Sequence, residues 1–344
     1  MARNTDRSSG PARSVAFKPV SPFSVTSRPP HLSLSDLRKE ADRLLLTSKS
    51  TSTRRGYTSA FKHWETFVKV YSLPFKPTTS SLVLFVAFLS RRLTRPEKIL
   101  SAVAYFFKSS MPNWDSIRSH PSVVDALAGA RISNPVETRR TPPLLPSHLR
   151  SIVSSAISSG SHNDLLFAFM ATVGFGALLR LGEMTLPDNA QDRDPRKWVR
   201  RSSASLSPDR QFDFTLPYHK ADKLFRGSSV VLLAENSTPD FNFIKVCEAY
   251  LLSRDSLFDD SAPWLFLTRS GQIPTRRWFV DRLRVHAPNV SGHGLRAGGC
   301  THYASLGVPQ HVIQRLGRWS SSAFEQYIRD HPAVAAKFQR IALR

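Results

Sequence analysis

The chain has 344 residues, with 48 Lys+Arg against 26 Asp+Glu and a formal charge of +22. A hydrophobic share of 41% suffices for an ordinary core in each of two domains, which excludes disorder throughout, and the charge calls for a polyanionic partner, with nucleic acid ahead of an acidic membrane surface. Two cysteines, Cys247 and Cys300, cannot frame a disulfide scaffold and stand in no metal-ligand spacing, so a reducing, intracellular compartment is expected, the nucleus if the source is eukaryotic.

Met1 to Phe17 are polar and basic without an apolar segment, which argues against a cleavable secretion signal. Residues 1–32, rich in Ser, Pro and Arg, read as a disordered basic arm. From there the apolar period becomes helical. Leu37, Ala41, Leu44 and Leu45 share one face, and Tyr57, Phe61, Trp64, Phe67 and Tyr71 share another. Further helices are predicted over Leu82–Leu89, from Pro96 through Phe107, and over Val123–Ala130, so residues 33–133 form a small helical bundle. Asn134 to Pro146 hold four prolines and the basic pair Arg139 and Arg140, a segment unable to sustain a helix and therefore an interdomain linker.

Residues 147–344 form the second domain. Helices are predicted at Ser147–Ser158 and Asn163–Leu181. The apolar run Leu165–Leu179 within the latter is shorter than the roughly 18 to 20 residues a membrane span requires, and is read as a buried core helix. Two alternating runs, Phe212–Leu216 and Ser229–Leu233, predict a β-hairpin whose turn carries Lys220 and Lys223. Helical patterns resume at Phe241–Leu252, Thr275–Val285, Gly294–Ser305, Pro309–Leu316 and Ser322–Ile328. The fold class is mainly α with a small β-hairpin.

Four short features of this half can meet only through folding: Leu-Leu-Arg180-Leu-Gly-Glu183, the turn with Lys220 and Lys223, His293-Gly-Leu-Arg296, and Gly317-Arg-Trp319 followed by Tyr327. Their order and spacing resemble the tyrosine recombinase, or phage-type integrase, family. The Gly-Arg-Trp turn, the Phe-x-x-Tyr-Ile-Arg ending and the Ser/Pro arm are similar to the recombinases of fungal mobile elements. The resemblance extends more weakly over Thr51–Phe67, which is similar to an early helix of that family's core-binding, SAM-like domain.

The resemblance implies a catalytic set of Arg180, Lys220, His293, Arg296, Trp319 and Tyr327, with Glu183 orienting Arg180. DNA contacts are expected from the basic residues Arg54, Arg55, Arg139, Arg140 and Lys223. The family more often places nine steps between its His/Trp position and the tyrosine, whereas Trp319 and Tyr327 stand eight apart. It also implies a tetramer on synapsed DNA, exchanged through the tail, where Val334, Ala335, Phe338 and Ile341 share an apolar face too short to stand alone.

The chemistry independently favours these residue types. Two guanidiniums can grip the nonbridging oxygens of a five-coordinate phosphorus bidentately, an indole N–H can add a donor, and a lysine can protonate a departing oxygen. Neither a metal nor ATP is expected, because a phosphotyrosyl bond keeps the energy of the phosphodiester. Tyr303 is a rival nucleophile and is read as a packing residue; Lys220 is preferred to Lys223 as the acid because it follows the first strand directly. A noncatalytic DNA-binding protein derived from a recombinase and a type IB topoisomerase are the competing readings. A metallonuclease ranks behind them, since the sequence offers no carboxylate cluster for Mg²⁺.

Overall fold

The computed structural model describes residues 33–92, 96–135, 142–207, 211–220, 222, 224–233, 243–328 and 339. The basic arm, Arg139, Arg140, Lys223 and the apolar face of the tail lie outside the described residues. Helices dominate among the described residues, where one three-stranded antiparallel sheet accompanies them. Among the described residues no helix is long and apolar enough to cross a membrane.

Among the described residues, six helices make the N-terminal half: α1 (Leu34–Thr47), α2 (Thr51–Val70), α3 (Thr79–Ser90), α4 (Pro96–Phe107), α5 (Trp114–Ser119) and α6 (Pro121–Ser133). Polar caps start several of them. The Ser50 hydroxyl accepts from Thr53 N ahead of α2, and Thr78 and Ser81 cap each other's backbone ahead of α3. The apolar stripes then meet in an aromatic core of Trp64, Phe67, Phe85, Phe107 and Trp114, where the buried Trp64 indole donates to Phe75 O at 3.1 Å. Helix α1 contributes no buried residue. The short α5 has too few residues to show a period and is absent from the sequence expectation.

A second, separate core is built around α8 (His162–Gly176), which is buried from Leu165 to its end. Around it stand α7 (Pro146–Ser159), α9 (Phe243–Leu257), α10 (Arg276–His286) and α11 (Gly294–Ser305). Strand β1 (Ser205–Leu206), which is too short to alternate visibly, joins β2 (Gln211–Leu216) and β3 (Ser228–Leu233) in the order β1-β2-β3. Phe212 pairs with Leu232 and Phe214 with Val230, so one face of the hairpin enters the core. A smaller cluster of Leu178, Cys300, Tyr303, Ile313, Phe324 and Ile328 fastens α12 (Gln310–Leu316) and α13 (Glu325–Ile328) to α11.

One expected boundary is corrected. Helix α8 ends at Gly176, not Leu181, because Leu178 adopts a left-handed backbone, φ 53°. Leu179 N then reaches back to Gly174 O at 3.0 Å and Leu178 N to Phe175 O at 3.4 Å, a helix stop that glycine usually supplies. A leucine there costs about 1–3 kcal/mol of backbone strain. Complete burial of its side chain offsets that cost and hides the stop from any reading of the sequence.

Candidate active site

The left-handed turn at Leu178 is what brings Arg180 out of the core. Arg180 lies just beyond it, and its Nη1 donates to Glu183 Oε1 at 3.0 Å while its backbone N–H donates to Oε2 at 2.9 Å. Glu183 is buried and takes a second cation, with Arg318 Nη2 standing 3.6 Å from Oε2. Arg318 is itself nearly buried, sits at φ 54°, and keeps an Nε with no partner among the described residues. Burial lowers its pKa, Arg180 lowers it further, and Glu183 opposes both.

Helix α11 carries the His-x-x-Arg pair. Its glycines let it press on neighbouring backbone: a Cβ on Gly298 would lie 2.1 Å from Leu144 O, and one on Gly299 2.0 Å from Phe175 O. Arg296, on the buried side, is 1% exposed. It donates through Nη1 to Leu178 O at 2.9 Å and through Nη2 to Gly317 O. The Trp319 ring covers its guanidinium, with the centroid 3.9 Å away. Desolvation, then repulsion from Arg180, brings the Arg296 pKa down to about 9. The two arginines are therefore not equivalent: Arg180 keeps 28% of its side chain exposed, whereas Arg296 is buried beneath an indole with both terminal nitrogens bonded to carbonyls.

His293 stands at the N-terminal end of α11, and its Nε2 shares a hydrogen bond with Tyr327 Oη, although 34 residues separate the two. Burial first, then the Arg296, Arg180 and Arg276 guanidiniums, lower the His293 pKa and favour the neutral imidazole. The Tyr327 phenol is pushed up by burial and pulled back by Arg296. Thr301 holds the tyrosine from behind by donating to its backbone oxygen at 3.0 Å. Tyr303, the rival, is buried, donates its hydroxyl to Gly176 O at 2.6 Å, and has its pKa raised to about 12.

Lys220 is exposed in the β2–β3 turn. It lines a cleft of about 520 Å³ together with Arg180, His219, Arg276, His293 and Lys197. Arg54 and Arg55 stand on α2; Arg55 is engaged by Asp192, at 3.1 and 3.2 Å, and so ties the first half to the second. Among the described residues no group of three or more His, Cys, Asp or Glu side chains is placed to hold a metal ion.

Three residues at this site are missing from the sequence reading. His219 and Arg276 had no signal, being single residues in a turn and at a helix start. Arg318 did have one, because it stands nine steps before Tyr327, the spacing that the resembled family favours.

The fold is that of the tyrosine recombinases. The structure of XerH site-specific recombinase bound to palindromic difH substrate, in a post-cleavage complex, superposes with a TM-score of 0.58 at 12% identity, covering 84% of this chain and 80% of that one. A lambda integrase dimer bound to a COC' core site gives 0.49 at 14% identity, over 85% and 94%, and XerA recombinase gives 0.45 at 16%, over 90% and 98%. No protein-family model and no curated relative matches the sequence.

Proposed function

We propose that this protein is a site-specific DNA recombinase that cleaves and rejoins double-stranded DNA through a covalent 3′-phosphotyrosyl bond at Tyr327. The observation that carries the reading is the hydrogen bond shared by Tyr327 Oη and His293 Nε2, with His293 lining a cleft that Arg180 and Lys220 line as well. XerH, whose structure holds its DNA substrate, has this fold.

In this reaction Tyr327 Oη gives its proton to His293 Nε2 and forms the new bond to phosphorus. The phosphorus–O5′ bond breaks, and the leaving oxygen takes a proton from Lys220. Arg180 holds the nonbridging oxygens directly, and Glu183 fixes its fork. Arg296 acts from below through its charge, with each terminal nitrogen donating one N–H to a carbonyl and keeping a second N–H to donate. Rejoining is the same path reversed with a 5′ hydroxyl as nucleophile, so neither ATP nor a metal takes part.

Nicked suicide substrates test the reading. A DNA–protein adduct on Tyr327 is expected, and binding without adduct would instead identify a noncatalytic DNA-binding protein.

The two halves act as an N-terminal DNA-binding bundle, residues 33–133, and a catalytic domain, residues 147–344, joined by the linker 134–146. The tail docks on a second copy within a synaptic tetramer. Removing residues 333–344 is then expected to weaken synapsis more than single-site binding, and equal loss of both would rule the docking out.

A further inference from the structure

The reaction as proposed leaves His219 unused, although it immediately precedes Lys220 and lines the same cleft. Its side chain is buried, with 8% of the residue exposed. Nε2 lies 3.1 Å from Ser228 Oγ, across the base of the turn, and Nδ1 is buried without a hydrogen-bond partner among the described residues. The groups that face the ring are Arg318, Glu183, Asp222 and Arg180. Burial and the two guanidiniums lower its pKa, so the neutral imidazole is the form that occupies this place between cations.

The turn is gripped on its other side as well. Lys197 Nζ sits 4.6 Å from the Tyr218 ring, Tyr218 packs on Phe225 at 5.1 Å, and Arg196 lies 4.8 Å from the Phe225 ring. Asp222 N–H donates to His219 O at 2.9 Å, closing the turn over Lys220. Aromatic and cation–ring contacts thus hold Tyr218 and Phe225, and the His219 imidazole anchors the turn through Ser228. Lys220, between Tyr218–His219 and Asp222, is the exposed residue that this arrangement presents to the cleft.

We infer that His219 is a positioning residue, its imidazole docked between Ser228 and the Arg180–Glu183–Arg318 cluster so that Lys220 is held where it can protonate the leaving 5′ oxygen. This rests on the reading of Lys220 as the proton donor. A merely structural histidine would, when replaced, slow every substrate alike. A positioning residue for the acid would slow only substrates that need the acid. Replacing the bridging 5′ oxygen by sulfur removes that need, because a thiolate leaves with little help from a proton.

The test compares adduct formation on ordinary and 5′-sulfur DNA by the full-length wild type, Lys220→Ala, His219→Leu and His219→Gln. His219→Leu is expected to be slower on ordinary DNA by roughly 10- to 100-fold, the scale of a catalytic group displaced by about 1 Å, and to recover nearly the wild-type rate on sulfur, as Lys220→Ala does. His219→Gln, whose amide can keep the bond to Ser228, is expected to retain most of the rate on both. If His219→Leu does not fold, Ser228→Ala removes the partner of the ring instead and should show the same rescue. A defect of equal size on both substrates, or no defect on ordinary DNA, overturns the inference and leaves the site reading intact. A wild type that forms no adduct on either DNA overturns the site reading and this inference with it.

Discussion

Arg318 Nη2 lies 3.6 Å from Glu183 Oε2, so a single buried carboxylate stands between Arg318 and Arg180, whose Nη1 holds the other oxygen at 3.0 Å. Arg296 feels the same carboxylate, which is the negative charge acting against repulsion within the cluster. Glu183→Gln leaves three guanidiniums without it. The expected loss of stability is about 3 kcal/mol, the scale of a broken buried ion pair. Added DNA should restore more stability to this variant than to wild type, because phosphate then supplies the missing charge. Urea titration with and without DNA checks this, and an unchanged midpoint would contradict the bridging role.

Tyr327→Phe removes only the phenolic oxygen that meets His293. DNA affinity should persist, while the covalent adduct should disappear. Peptide mapping of any adduct that survives decides the matter, and attachment at Tyr303 would defeat the assignment.

Gly299→Ala tests the approach of α11 to α8, since its Cβ would lie 2.0 Å from Phe175 O. The nearest contact is backbone and cannot yield by rotation as the Leu178 side chain at 2.6 Å can, so α11 must shift and carry His293 and Arg296 with it. A cost at or above the roughly 1–3 kcal/mol typical of overpacked cores is expected, together with slower adduct formation. Thermal melting and the single-turnover rate measure the two effects, and a variant normal in both would show that the helices have room.

Acidification should weaken the fold before any carboxylate titrates. His162, His219, His286, His293 and His302 all have pKa values lowered from 6.5, with burial as the leading cause in each. Between the unfolded value and the lower folded values the unfolded chain binds more protons. Stability is therefore full above about pH 6.5 and is lost as the pH falls through that window. The urea midpoint should be lower near pH 5.5 than near pH 7.5 at constant ionic strength, and equal midpoints would refute the sign.

The residues alone determine much of this protein. The helical periods from Leu34 to Ile328, the alternation in the hairpin and the excess of basic charge are local properties, because burial of one face repeats within each element at its own period. The order of Arg180, the lysine turn, His293-x-x-Arg296 and Tyr327 was legible for the same reason, as types of residue at spacings. Which of them touch was not. Leu178 stops α8 in a backbone state that glycine usually takes, and only the buried cluster under α11 makes that state affordable. Arg318 joins Glu183, Trp319 covers Arg296, and His219 lies behind Lys220 through contacts between segments far apart in the chain. Such contacts are set by how whole elements pack, and a buried arginine chooses among carboxylates, carbonyls and rings only after that packing has decided which of them it can reach.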